Sequence, residues 1–167
     1  MKSRLIIFDL DDTLYLCSNV VKPDYSNLNE IKPLLGVREF LINDDSKKIL
    51  VTKGNKEIQE EKINILGIKN FFDEIFYPLE DKNKINCFRK IMQKYPSYHF
   101  LVVGNKITSE IRYGKELGLK TVLLNQGKYK TLKAKDDFEV PDHKIEEFTE
   151  LNEVLKCKQE KEQECIH

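Results

Sequence analysis

The chain has 167 residues, 40% of them hydrophobic and 10% aromatic, which is enough for one compact core and excludes wholesale disorder. Lys plus Arg total 28 and Asp plus Glu total 28, so the formal net charge is zero. That balance excludes a protein held on nucleic acid or an anionic bilayer by bulk charge, and nucleic acid is expected only as a substrate.

In chain order, Arg4-Leu5-Ile6-Ile7-Phe8 is an apolar run of the fully buried strand type, and it ends in acids. It is too short for a membrane span or a signal-peptide core, so no membrane association is expected and the expected compartment is the cytoplasm. Residues 14–46 are irregular, a loop or flap with a helix around Val37 to Ile42. Lys48-Ile49-Leu50-Val51 predicts a second strand, ending in Thr52 and Gly54. Ile58, Ile63 and Leu66 fit a helix ending at Gly67. Glu74-Ile75-Phe76-Tyr77 predicts a third strand, stopped by Pro78.

Ile85, Phe88, Ile91, Met92 and Tyr95 then make an apolar helical stripe. Phe100-Leu101-Val102-Val103 is the fourth predicted strand, ending in Gly104. Ile107, Ile111, Gly114 and Leu117 make a second stripe, and Thr121-Val122-Leu123-Leu124 is the fifth strand. A sixth is expected at Phe138-Glu139-Val140, before Pro141, and a last helix at Ile145, Phe148, Leu151, Val154 and Leu155.

Alternating strands and helices predict an α/β, three-layer Rossmann-like fold, with a parallel sheet of five or six strands flanked by helices. The core is expected over residues 1–155 and a charged tail over 156–167. Cys17, Cys87, Cys157 and Cys165 form no Cys-x-x-Cys pair, and His99, His143 and His167 stand at no ligand spacing to them. Four free thiols in a reducing compartment are expected.

In a parallel sheet, ligands gather beyond the carboxyl ends of the strands, which points to Asp9, Thr52 and Gly104-Asn105. Phe8-Asp9-Leu10-Asp11-Asp12-Thr13 crowds three acids at one strand end, an arrangement that is costly without a cation nearby. Taken singly, each residue has an ordinary explanation. Asp and Thr serve turns and caps, Thr52 ends a strand, Asn105 follows a glycine, and Lys82 sits in a charged run. Their joint occurrence at successive strand ends points instead to a site.

Asp9-Leu10-Asp11-Asp12-Thr13 resembles the opening Asp-x-Asp-x-Thr motif of the haloacid dehalogenase (HAD) superfamily of aspartate-dependent phosphatases. Ile49-Leu50-Val51-Thr52-Lys53-Gly54 is similar to the second motif, a Ser or Thr ending a core strand. Asp81-Lys82-Asn83-Lys84 is similar to the third, a Lys at a helix start, with Lys82 expected in that role by its offset to Phe88 and Lys84 as the reserve. Val102-Val103-Gly104-Asn105 with Glu110 is similar to the fourth, an acid pair after a strand. The resemblance runs over about residues 3–155, with the motifs in order. It departs from the pattern where Asn105 stands in place of the first acid of the pair.

The resemblance implies a Mg²⁺-dependent phosphomonoesterase acting through an aspartyl-phosphate. Asp9 is then the nucleophile and Asp11 the general acid and base. Thr52, Lys53 and Lys82 bind the phosphate, and Mg²⁺ is held by Asp9, the Asp11 carbonyl, Asn105 and Glu110. The intervals 9–52 and 52–82 are too short for a separate cap beside the core elements, because a folding unit needs about 50 residues or more. The capless branch is therefore implied, with an open site, a phosphorylated substrate as partner, and room for a homo-oligomer whose neighbour closes the site. Tyr15, Lys22 and Tyr25 lie in the flap, in reach of a substrate.

The competing reading is a catalytically weakened HAD-fold module that binds a phosphorylated partner or a protein, and Asn105 favours it. A phosphoacceptor receiver domain fits poorly, because the third strand ends in Tyr77-Pro78 rather than an acid. Dehalogenase chemistry has no use for a leaving-group acid at Asp11.

Overall fold

The computed structural model describes residues 3–18 and 20–156. The expectations for Cys157, Cys165 and the tail past Lys156 fall outside the described residues.

Six parallel strands form one sheet: β1 (Arg4–Phe8), β2 (Lys47–Val51), β3 (Glu74–Phe76), β4 (His99–Gly104), β5 (Lys120–Leu124) and β6 (His143–Ile145). Their order is β3-β2-β1-β4-β5-β6. β1 pairs with both β2 and β4, with Phe8 opposite Leu50 and Val103. The order reverses at β1, so the crevice past its carboxyl end is where a ligand is expected.

The helices α1 (Val37–Asn43), α2 (Lys56–Leu66), α3 (Lys84–Lys94) and α4 (Arg112–Glu116) supply the outer layers. Side chains alternate across a strand, so β1 feeds both faces. Ile6 and Phe8 join Phe40, Ile63, Phe148 and Leu151 on one face. Leu5 and Ile7 join Phe88 and Ile91 of α3 on the other. Phe8 meets Phe40 edge-on at 6.0 Å between ring centroids, the offset that aromatic quadrupoles prefer.

α2 begins where the Asn55 side chain accepts from Ile58 N and ends at Gly67 in the left-handed conformation, so the expected helix is present with both caps. The irregular segment before α1 packs on the core through Leu14, Tyr15, Leu28 and Ile31. Asn27 orders it, accepting from Lys22 N at 2.8 Å and donating to the Val20 carbonyl at 2.6 Å.

Three expectations along the chain are corrected. Residues 138–140 are not a strand. Asp137–Glu139 is a 3₁₀ turn, and the sixth strand lies after Pro141. The buried Glu139 is held by Arg112 at 2.8 Å, which ties the turn to α4. Strand pairing starts beyond Pro141, where Asp142 accepts from Thr121 N at 2.9 Å and donates its own N–H to Thr121 Oγ1 at 3.1 Å. Likewise Ile145 belongs to β6, and the last helix starts only after a 3₁₀ turn at Phe148–Glu150 with a Glu147/Glu150 capping box. Ile107–Ile111, expected as ordinary helix, is a π-helical turn leading into α4. Such turns are common at functional sites. Among the described residues, no helix is long and apolar enough to cross a membrane.

Candidate active site

Asp9 follows β1 directly. Its N–H donates to the Val103 carbonyl at 3.0 Å, which extends the β1–β4 ladder by one residue and sets the carboxylate at the switch point. Lys84, the first residue of α3, reaches it with Nζ 2.7 Å from Asp9 Oδ1. The same ammonium bonds the carboxylate of Glu110. All three are buried, with relative exposures of 7%, 3% and 2% for Asp9, Lys84 and Glu110. Thr13 donates its hydroxyl to Asp9 Oδ2 at 3.3 Å.

Glu110 reaches this position because residue 104 is a glycine. A Cβ at Gly104 would lie 2.5 Å from Glu110 Cγ, closer than atoms pack. The π-helical turn then brings Glu110 back over the end of β4, where its Oε2 accepts from Lys106 N at 3.3 Å. Asp81 ties the third motif to the fourth, accepting from Lys106 Nζ at 2.8 Å and from Ser109 Oγ at 3.0 Å.

Two carboxylates share one lysine here, and the electrostatics follow from that. Burial pushes the Asp9 carboxyl up to about 7, against the pull of Lys84 and with the push of Glu110. Burial would lower the Lys84 ammonium, but Asp9 and Glu110 outweigh it and hold the lysine charged. For Asp11, burial works upward, but Lys62 beside it, with Tyr15 and Gln59, holds the carboxyl below its ordinary value.

Asp11 points away from Lys84. It is gripped by Lys62 at 2.9 Å, by Gln59 at 3.2 Å and by the Tyr15 hydroxyl. Lys62 also lies over the Tyr15 and Tyr25 rings, 5.9 Å and 5.7 Å from their centroids. The third acid of the opening motif has a different task. Asp12, in a left-handed conformation, accepts from Cys17 N and Ser18 N at 2.8 Å and 2.9 Å and shapes the loop that follows.

Asp9, Asp11, Asn105, Glu110, Lys53 and Lys84 all line one cavity of about 350 Å³, beside Gln59 and Lys62. The expected phosphate lysine is corrected. Lys82 lies in a 3₁₀ turn before α3, pairs with Glu80 at 2.7 Å and keeps 75% of its side chain exposed, while Lys84 takes the position at Asp9. A lysine at 82 precedes the helix and is not on its inward face; Lys84 shares that face with Phe88 and Ile91. Thr52 follows β2 directly, is 1% exposed and is not among the residues that line the cavity, though its neighbours Lys53 and Gly54 are; its Oγ1 accepts from Gln59. Of the flap residues, Tyr25 lines the cavity and Tyr15 is buried against Asp11, while Lys22 is exposed and outside the cavity lining. Cys17 and Cys87 are free thiols, as expected.

Among the described residues, no three of His, Cys, Asp and Glu converge on a metal position. Asp9 and Glu110, which share Lys84, line the same cavity as the amide of Asn105. Asn105 Nδ2 leans on the Gln126 carbonyl at 3.5 Å, which leaves Oδ1 as the group available to a cation. An all-oxygen set beside a carboxyl that burial makes reluctant to ionise fits a hard divalent cation such as Mg²⁺.

A parallel six-stranded sheet flanked by helices, carrying a buried aspartate at its switch point with a lysine beside it, defines a three-layer Rossmann-like α/β fold. No protein-family model matches the chain. A stretch of 113 residues is 31% identical to the glyceraldehyde 3-phosphate phosphatase of Methanopyrus kandleri, covering 64% of this chain and 48% of that protein. The glyceraldehyde 3-phosphate phosphatase of Methanocaldococcus jannaschii is 30% identical over 112 residues, with the same coverage. The chain thus spans about half the length of these two relatives. Among solved structures, a predicted phosphoglycolate phosphatase from Haemophilus somnus superposes with a TM-score of 0.75 at 17% identity, covering 93% of this chain and 99% of that one. Magnesium-bound YfnB from Bacillus subtilis superposes with a TM-score of 0.68 at 16% identity, with the same two coverages. At such identities the structural likeness is one of fold. The chain thus shares the fold of solved structures that include haloacid dehalogenase-like hydrolases.

Proposed function

We propose that the chain hydrolyses a phosphomonoester, with the Asp9 carboxylate as nucleophile. The observation that carries this reading is the buried Lys84–Asp9 contact at the end of β1, in the lining of the cavity that Asn105 and Glu110 also line. The phosphatase names of the sequence relatives support it.

In the proposed reaction, an Asp9 oxygen attacks phosphorus, the bond to the leaving oxygen breaks, and an aspartyl-phosphate forms. Water then attacks that phosphorus and restores Asp9. Asp11 gives a proton to the leaving oxygen and takes one from the water. Lys62 stabilises the ionised form of Asp11, which suits the second task and favours substrates whose leaving oxygen needs little help. Lys84 and the exposed Lys53 balance the charge of the phosphoryl group, and burial makes Lys84's share larger than it would be in water. Asp9, Asn105, Glu110 and the Asp11 carbonyl are the groups that would hold Mg²⁺, which when bound offsets the negative charge shared by Asp9 and the phosphoryl group.

The segment before α1 packs on the core and lends Cys17, Ser18 and Tyr25 to the cavity wall; an open site that takes a substrate larger than a small phosphate ester is part of the proposal. A homo-oligomer that closes the opening fits the same geometry, and a cytoplasmic location remains part of the proposal. Asn105 favours one second reading, a module that binds phosphorylated partners without turnover. Hydrolysis of an aryl phosphate with Mg²⁺, lost in Asp9→Asn, is the expected result. No turnover by the wild type at any Mg²⁺ concentration would support the binding module instead.

A further inference from the structure

We infer that Gln59 is a positioning residue for the phosphoryl group, acting through Thr52; this rests on the phosphatase reading. Gln59 lies on the first turns of α2, buried, with its amide between two motif residues that are distant in sequence. Nε2 is 3.2 Å from Asp11 Oδ2 and also bonds Thr52 Oγ1. The amide orientation follows from chemistry. An ionised carboxylate only accepts, so the donor nitrogen faces Asp11 and the amide oxygen is turned away. Lys62 on Asp11 Oδ1 keeps that carboxylate ionised and in place.

The orientation of Gln59 sets that of Thr52. A hydroxyl oxygen that accepts from Nε2 keeps its own hydrogen pointing elsewhere, ready for an acceptor. Phosphoryl oxygens are acceptors. Had the amide oxygen faced Thr52, the hydroxyl would have been spent on it. Both Nε2 hydrogens are engaged, one on Asp11 and one on Thr52, so Gln59 has none left for the phosphate itself. Gln59 lines the cavity and bonds Thr52, whose chain neighbours Lys53 and Gly54 line it as well.

The test is a double-mutant cycle on the full chain, read by calorimetric titration with inorganic phosphate in the presence of Mg²⁺ and by the KM and kcat of an aryl phosphate. Gln59→Met keeps the length and removes both donors. It is expected to weaken phosphate binding about tenfold, the size of one lost hydrogen bond to a charged group, and to raise KM more than it lowers kcat. Thr52→Val is expected to do the same, and the double variant to lose no more than either single one. Should Gln59→Met fail to fold, Gln59→Leu carries the same test, because it too removes both donors without adding charge. Unchanged phosphate affinity in these variants, or losses that add fully in the double variant, would overturn the proposal. A wild type that neither binds phosphate nor hydrolyses the ester would overturn the phosphatase reading beneath it.

Discussion

Lys84 Nζ stands 2.7 Å from Asp9 Oδ1, a contact between the start of α3 and the end of β1 that leaves both groups buried. Lys82, two residues earlier, pairs with Glu80 at the surface. The two lysines therefore make opposite predictions. Lys84→Met strands Asp9 and Glu110 together without a counter-charge, a change that costs about 3–5 kcal/mol where a buried pair is broken. It is expected to lower the unfolding temperature and to reduce aryl-phosphate turnover by about a hundredfold or more. Lys82→Ala is expected to leave melting curve and turnover unchanged. Steady-state kinetics beside thermal melts of the two variants make the comparison.

At position 105 the account expects a gain. Asn105 offers an amide oxygen where the motif it resembles has an acid, and Asp9 and Glu110 are the charged donors on hand. Asn105→Asp is expected to keep or raise activity and to lower the Mg²⁺ concentration at half-maximal rate. A large loss would show that the Nδ2 contact with the Gln126 carbonyl has a task of its own.

Gly104 is under the most direct steric constraint. Gly104→Ala puts a methyl where Glu110 Cγ would be 2.5 Å away, so the glutamate must move. A cost of about 1–3 kcal/mol is expected, as for overpacking elsewhere. The Mg²⁺ requirement is expected to rise with it, because Glu110 is displaced from Asp9. Chemical denaturation and a Mg²⁺ titration of activity check the two effects.

Far from the site, Asp142 makes a pH prediction. Burial works to raise its carboxyl, but the Thr121 N–H and hydroxyl, with Lys115 and Lys120, hold it below the ordinary value. A carboxyl depressed in the folded state stabilises the fold above its unfolded pKa of about 3.9, and that contribution is lost as pH falls through the lower folded value. Asp142→Asn is expected to cost about 1.5–3 kcal/mol at pH 7, the range for hydrogen bonds to a charged group, and to converge with the wild type in strong acid. Denaturation midpoints measured from pH 7 downward give the curve.

Much of the site was legible because chemistry at strand ends leaves a local trace. Asp9, Thr52 and Asn105 each follow an apolar run past the carboxyl end of β1, β2 or β4, and the turn at Ile107–Ile111 brings Glu110 back to them. Lys84 was also readable, since it falls on the inward face of α3 four residues before Phe88. An offset measured from a single residue pointed to Lys82 instead. Gln59 and Lys62 hid in plain view. They occupy the inward face of α2 with Ile63 and Leu66, and it was these two polar residues that blurred the helical stripe. Polar groups on a buried face are themselves a signal, because burial without partners is costly. The error at 138–140 has another origin. Val140 and Phe138 are about half exposed, and nothing local distinguishes a turn pinned by a distant Arg112 from a short edge strand.

The account stands on Asp9 as the attacking group. The measurement that reaches this most directly is mass spectrometry of enzyme quenched in acid during turnover of an aryl phosphate with Mg²⁺. One phosphoryl group is expected on the peptide containing Asp9, removed by hydroxylamine and missing in Asp9→Asn. A phosphoryl group on another residue, or full turnover by Asp9→Asn, would contradict it.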